Sequence, residues 1–93
     1  MLSKEEVTQI AADFLAKKVK QIEVALLTDQ TREFELGWVF FWQSRRYMET
    51  GRFGDRLGGN APIIVNKHDG SAVFTGTGYP VEKYIADYLK ARQ

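Results

Sequence analysis

Apolar residues recur at helical spacing near both ends of the chain. Close to the start, Ser3 and Glu6 stand three residues apart, which is the spacing of a capping box at a helix N-terminus. The stripe that follows predicts a helix over residues 4–18 and consists of Val7, Ile10, Ala11, Phe14 and Leu15. A second stripe, which begins after Pro80, predicts a C-terminal helix and consists of Val81, Tyr84, Ile85, Tyr88 and Leu89.

Between the two helices the pattern is that of β-strands. Residues 22–28 form a short apolar run, and residues 33–44 alternate with a period of two. The apolar positions of that alternation are Phe34, Leu36, Trp38, Phe40 and Trp42. Gly37 has no side chain to pack, which indicates either a bulge or a close approach of another backbone. Residues 63–65 and 72–75 are predicted to form the third and fourth strands.

A turn is predicted between the last two strands, where Asp69 precedes Gly70 in a pair typical of hairpins. A two-residue turn places Val65 opposite Phe74. A three-residue turn with Gly70 in a bulge places Val65 opposite Val73. The two registers send Phe74 to different faces of the sheet, and the pattern leaves both open.

The order of elements is α-β-β-β-β-α, which predicts an α+β fold with a four-stranded antiparallel meander sheet. We expect the N- and C-terminal helices to pack on one face of this sheet. The other face would then meet solvent or a partner. No linker, repeat or low-complexity segment interrupts the pattern, so we interpret residues 1–93 as a single domain.

The composition indicates the compartment and the partner classes that we expect for the protein. The 93 residues include no cysteine, which excludes disulfides and thiolate metal sites and favours a reducing compartment. The first residues lack the order of a signal peptide, and every apolar run is far shorter than the about 20 residues of a membrane span. We therefore expect a soluble, cytoplasmic protein without membrane contact. The net charge of +1 argues against a nucleic-acid partner.

Candidate catalytic residues are few. His68, the only histidine, precedes the Asp69-Gly70 pair and is expected at an exposed turn rather than beside a nucleophile. Glu33 and Glu35 share a strand face, but their place beside a polar turn favours two solvated, ionised carboxylates. The segment Gly76-Thr77-Gly78 lacks the third glycine of a dinucleotide-binding loop. We therefore predict no enzymatic activity, no cofactor and no metal.

Residues 45–60 form a glycine-rich basic segment, predicted as a long ordered loop with a helical turn near residues 55–57. Its arginines are Arg45, Arg46, Arg52 and Arg56. One interpretation is a surface that contacts another protein, because Trp, Tyr and Arg dominate binding hot spots. The other is a solvated loop whose aromatic side chains fold back onto the sheet. On the first interpretation, the predicted partner-binding residues are Trp42, Arg45, Arg46, Tyr47 and Arg52.

The chain between Gly37 and Ile85 resembles the YrhB-like family, also called the immunity protein 35 family. The most specific segment is residues 57–65, Leu-Gly-Gly-Asn-Ala-Pro-Ile-Ile-Val, with the Asp-Gly turn that follows. The other matching positions are Gly37, Trp38, Phe40, Trp42, Tyr47, Thr50, Gly51, Lys67, Gly70, Gly76, Thr77, Pro80, Tyr84 and Ile85. The N-terminal helix agrees with the family only in type.

The resemblance implies a small bacterial cytoplasmic protein of a family many of whose members are associated with polymorphic toxin systems. Such a protein binds a toxin domain, often of papain-like or related peptidase type, and blocks it by occlusion. The family has no catalytic residues to carry over. The alternative function is a chaperone-like protein that covers apolar surfaces of unrelated clients. Whether the protein is a monomer or a homodimer is left open.

Overall fold

The computed structural model describes residues 1–92 of the chain. In chain order its helices and strands are α1 (Lys4–Lys18), β1 (Val24–Leu26), β2 (Arg32–Phe34), β3 (Gly37–Phe40), β4 (Trp42–Ser44), α2 (Arg45–Thr50), β5 (Ile63–Asn66), β6 (Ala72–Phe74) and α3 (Val81–Ala91). Single turns of 3₁₀ helix span Thr28–Gln30 and Phe53–Asp55. The predicted α+β class is confirmed.

The first helix has the predicted bounds and the predicted cap. The Ser3 N–H donates to Glu6 Oε1 at 3.0 Å, and the Glu6 N–H donates to Ser3 Oγ at 3.1 Å. Both bonds of the capping box are therefore present, and each satisfies an N–H group that a helix start leaves without a partner. The apolar stripe of the helix buries Val7, Ala11 and Leu15 in the core.

The strands form two sheets instead of one. A four-stranded antiparallel meander has the order β2-β3-β5-β6, and β1 pairs with β4 in a separate two-stranded sheet. The segment 33–44, predicted as one strand, is divided among β2, β3 and β4. A turn at residues 35–36 separates β2 from β3, and the chain changes partner at Phe41, whose carbonyl accepts from the Leu27 N–H at 2.7 Å. Alternation alone does not reveal such a change of partner.

The prediction that both helices pack on one face of the sheet is wrong. Cross-strand neighbours Phe40 and Ile63 lie in one apolar cluster with residues of α1. The next pair, Val39 and Ile64, lies in a second cluster on the opposite face, with Ile85 of α3 and its neighbours. Strand β5 is buried at every position because helices cover the sheet from both sides. A short, continuously apolar run is typical of such a two-sided strand.

The hairpin between β5 and β6 has neither of the two predicted registers. Val65 lies opposite Ala72, so four residues, 67–70, form the loop. The side chain of Asn66 explains the longer loop: its Oδ1 accepts from the N–H groups of His68 at 2.8 Å and of Asp69 at 3.3 Å. Such a side-chain acceptor stabilises a turn that starts at Lys67, two residues before the Asp-Gly pair.

Gly37 marks a close approach of backbones, one of the two alternatives left by its position. It is buried in β3 opposite Asn66, and a Cβ atom built on it would overlap the carbonyl oxygen of Val65. Only glycine permits β3 and β5 to lie this close. Over residues 1–92, none of the helices has both the length and the apolar character needed to cross a membrane.

Candidate functional site

The candidate site is a lobe made of α2 and the 3₁₀ turn that follows it, residues 45–57. Helix α2 begins at the N-cap Ser44, whose Oγ accepts from the Tyr47 N–H at 3.0 Å. The same hydroxyl donates to the carbonyl oxygen of Asp55 at 2.6 Å. The helix ends at Gly51, which has the left-handed conformation (φ 68°) that favours glycine. Ser44 therefore fixes both the start of the lobe and its returning segment.

The end of the lobe is held by a buried glutamine in β4. The Leu57 N–H donates to Gln43 Oε1 at 2.6 Å, and Gln43 Nε2 donates to the Leu57 carbonyl at 3.1 Å. Gln43 is only 5% exposed and Leu57 is partly buried, so these bonds are largely shielded from water. Burial of a side-chain amide without hydrogen-bond partners costs free energy, so these bonds favour the conformation in which Leu57 lies against Gln43.

A second set of contacts closes the lobe on itself. Thr50 Oγ1 donates to Asp55 Oδ2 at 2.7 Å and accepts from the Arg52 N–H at 3.1 Å. Arg46 Nε lies 3.2 Å from Asp55 Oδ1, in an ion pair at the lobe surface. Asp55 therefore joins the helix to the 3₁₀ turn, and the lobe is held together across its middle as well as at its ends.

The outer surface of the lobe is apolar and basic. Phe53 is 85% exposed, although it lies in a hydrogen-bonded turn. Arg45, Arg52 and Arg56 are exposed, and within residues 1–92 none of the three forms an ion pair. An exposed aromatic side chain in a segment with three such arginines matches the composition of binding hot spots.

The predicted partner-binding residues separate into two groups. Arg45, Arg46 and Tyr47 form the first turn of α2, and Arg52 follows the helix on the same lobe. Trp42 does not lie on this surface. It is partly buried and packs against the apolar cluster of the α1 face.

The contacts of Trp42 belong to the framework of the fold. Its indole N–H donates to the Ala61 carbonyl at 2.7 Å, and its own carbonyl accepts from Asn60 Nδ2 at 3.1 Å. Its ring centroid lies 6.4 Å from that of Phe74. Asn60 thus makes a side-chain to backbone bond shortly before Pro62, and Trp42 holds the segment that follows the lobe.

Sequence reasoning missed the most exposed aromatic residue. Phe53 lies in the basic segment, but the predicted contact residues do not include it. Its signal is its setting: Arg52 and Gly54 flank it, and the positions two residues away, Gly51 and Asp55, offer no apolar partner at strand spacing. For an aromatic side chain, lack of an apolar pattern around it favours exposure.

The other candidate residues lie outside the lobe. His68 is exposed on the hairpin loop. Glu33 pairs with Lys67, whose Nζ lies 2.7 Å from Glu33 Oε2. Across the part of the chain that the structure describes, no three His, Asp or Glu side chains cluster as a metal site requires.

The architecture is that of a small α+β domain with a rigid basic lobe, and comparison with known proteins gives its family. The chain belongs to the immunity protein 35 family, whose family model matches residues 5–90. It is 44% identical over 55 residues to the uncharacterized protein YrhB of Escherichia coli (strain K12). That alignment covers 59% of this chain and 58% of the relative, so the matched part is little more than half of either protein. No solved structure matches the chain.

Proposed function

We propose that the protein is an immunity protein that binds a cognate toxin domain and neutralises it by occlusion. The observation that carries the proposal is Phe53, held exposed by an ordered lobe in a member of the immunity protein 35 family. An immunity protein needs no chemistry of its own. It needs a surface of fixed shape that the toxin recognises before the toxin reaches its target.

The lobe supplies the two kinds of contact that tight binding requires. Transfer of Phe53 into an apolar depression on the toxin contributes about 1.5–3 kcal/mol. Arg45 and Arg52, which have no acidic partner within residues 1–92, form charge-assisted hydrogen bonds to carboxylates around that depression. Because the lobe is already ordered, little conformational entropy is lost on binding.

The toxin that fits this proposal is an enzyme with an open cleft and an acidic rim. A papain-like or related peptidase domain is the type that the family resemblance implies. A convex lobe that enters or covers such a cleft excludes substrate without being cleaved. The proposed place of action is the cytoplasm of the bacterium that makes the toxin.

The test is co-expression of the chain with the toxin-like domain encoded beside its gene. We expect growth to be rescued and a stable complex to elute in size-exclusion chromatography. Phe53→Asp should abolish rescue, whereas Phe53→Leu, which keeps an apolar side chain, should retain it. Lys17→Glu on the exposed surface of α1 is the matched control for added negative charge. Rescue by Phe53→Asp equal to that of the parent protein would show that the lobe is not the interface.

A chaperone-like role is the second candidate, and it is favoured by apolar exposure outside the lobe. The large apolar residues concerned are Ile22 (44% exposed), Val73 (42%) and Tyr79 (62%). A protein that covers many clients uses such scattered contacts, while a specific inhibitor depends on one patch. Suppression of the heat aggregation of unrelated enzymes, undiminished by Phe53→Asp, would favour this role.

A further inference from the structure

An open cleft of about 440 Å³ lies beside the lobe. Its walls come from residues 56–62, which follow the lobe, and from residues 76–84, which lead into α3. Trp42 also lines it. The volume falls within the range of about 300–1,000 Å³ that is usual for ligand sites. The segment 57–62 belongs to the most family-specific part of the sequence, and its backbone is fixed by Gln43 and Trp42.

The charge of the cleft has one source. Among the described residues that line it, Arg56 is the only charged one, and it forms no ion pair within residues 1–92. The remaining polar lining is neutral and includes the side chains of Asn60 and Thr77. A single guanidinium matches one carboxylate, whereas a phosphate chain calls for a cluster of basic groups.

Two tyrosines form the apolar side of the cleft. Tyr79 is 62% exposed, and its ring lies 6.2 Å from that of Tyr84 in an edge-to-face arrangement. The Tyr84 hydroxyl accepts from the Gly78 N–H at 2.9 Å, which fixes the ring and leaves its own proton free to donate. Lys83 Nζ lies 5.3 Å from the Tyr79 ring centroid but does not line the cleft, and it forms an ion pair with Asp87 at 3.3 Å, so Arg56 remains the source of the cleft's charge.

We infer that this cleft binds an extended acidic peptide segment in which an apolar side chain stands next to a carboxylate. The carboxylate pairs with Arg56, and the apolar side chain packs on Tyr79 and Tyr84. The inference rests on the proposed function, because Arg56 and Leu57 belong both to the lobe and to the cleft. A toxin that covers the lobe therefore extends directly into the cleft.

The test uses a peptide, acetyl-Glu-Glu-Phe-Glu-Glu-amide, and the indole N–H signals of the two tryptophans in ¹H–¹⁵N NMR spectra. Trp42 lines the cleft, and its indole N–H bonds to Ala61. Trp38 lies between Lys4 and Lys67, with Nζ atoms 5.4 Å and 5.9 Å from its ring centroid. We expect the Trp42 signal to shift and that of Trp38 to stay, although lysines surround Trp38. The peptide with Lys in place of Glu should shift neither.

Matched variants locate the binding. Arg56→Glu should weaken the peptide at least about tenfold, because it replaces an ion pair by repulsion. Tyr79→Ala should weaken the peptide as well, because it removes the ring on which the apolar side chain packs. Arg56 and Tyr79 are both exposed, so we expect neither change to disturb the fold. Lys17→Glu, on the exposed surface of α1 and outside the cleft, should change the affinity less than about twofold, as expected for an exposed charge that does not line the site.

Three outcomes would overturn the inference. They are an unmoved Trp42 signal at saturating peptide, equal affinity in Arg56→Glu, and a larger Trp42 shift with free glutamate or adenosine monophosphate than with the peptide. If any of them occurs while Phe53→Asp still abolishes toxin binding, the cleft inference is wrong and the immunity proposal stands. If the peptide binds but no complex with the toxin forms, the immunity proposal is wrong and the cleft inference stands.

Discussion

Gln43 and Leu57, 14 residues apart, exchange two hydrogen bonds between one side chain and one stretch of main chain. The side-chain amide of Gln43 satisfies both backbone hydrogen-bonding groups of Leu57, as the backbone of a neighbouring strand would. It presents an acceptor to the N–H and a donor to the carbonyl. The lobe is therefore joined to β4 at its far end as firmly as it is at Ser44.

Replacement of this glutamine tests that role. Gln43→Ala should lower the free energy of unfolding by about 1–3 kcal/mol, because it leaves the partly buried N–H and carbonyl of Leu57 without partners. Urea unfolding measures the loss, and amide exchange should become faster in residues 51–57. Gln9→Ala is the control: Gln9 Nε2 bonds to Asp13 at an exposed site on α1, and its loss should cost less than about 0.5 kcal/mol. Equal effects of the two changes would contradict the role of Gln43.

The close approach at Gly37 gives a second prediction. Gly37→Ala should lower the free energy of unfolding by about 2–3 kcal/mol, since the added methyl group meets backbone that has no room to move. Thermal unfolding followed by circular dichroism is the measurement. Gly58→Ala places the same methyl group in open space and should change stability by less than about 0.5 kcal/mol. A stable, unchanged Gly37→Ala would mean that β3 and β5 lie further apart.

The arginines of the lobe give a third prediction. The sequence suggests reversing the charges of the neighbouring Arg45 and Arg46. Arg46, however, forms an ion pair with Asp55 within the lobe. Arg45→Glu with Arg52→Glu removes positive charge without placing a carboxylate against Asp55. We expect toxin affinity to fall at least about 100-fold, as for hot-spot arginines.

Unchanged thermal stability in this double variant is the control for folding. Raised salt should weaken the parent complex, because exposed charge pairs are screened. Parent-like affinity in the double variant, or a complex insensitive to salt, would place the interface elsewhere.

The capping box gives a pH-dependent prediction. The N–H of Ser3 donates to the Glu6 carboxylate and, with a smaller effect from the Ser3 hydroxyl, lowers the pKa of Glu6 below its ordinary value. A lowered pKa in the folded state stabilises the protein above the unfolded pKa, about 4.3 for Glu. This stabilisation is lost as the pH falls through the lowered pKa.

NMR titration of the Glu6 carboxyl carbon measures that pKa directly. Glu6→Gln, which cannot ionise, should show a smaller loss of stability on acidification below about pH 4 than the parent protein. A Glu6 carboxyl that titrates at or above the ordinary value would show that the capping box is not formed in solution.

Local patterns predicted local structure well. The bounds of α1 follow from Ser3, Glu6 and the apolar stripe, because a helix start is determined by residues a few positions apart. The unbroken apolar run Ile63-Ile64-Val65 is typical of a strand buried on both faces. The alternation of residues 33–44 instead favoured a sheet with one buried face, and this led to the wrong placement of the helices. The division of that segment depends on pairing with β1 and β5, which no local pattern encodes.

The site was predictable in part for the same reason. Arg45 and Arg46 are adjacent and polar, so their exposure on one lobe could be expected. The inward place of Trp42 depends on Ala61, 19 residues later, and on Phe74. The hairpin register depends on the side chain of Asn66, which satisfies two N–H groups before the Asp-Gly pair is reached. These are contacts of the folded chain, and spacing alone does not specify them.

The bonds that shape the lobe come from Ser44, Gln43, Thr50 and Asp55, and most of them end on main-chain atoms. The outward side chains Arg45, Arg52 and Phe53 contribute nothing to that geometry through their own side-chain bonds. On the proposed function, recognition and folding are thus encoded at separate positions. Exchange of these outward residues would retarget the protein to a different antagonist while the scaffold stays the same, which makes the lobe a natural place for specificity to diversify.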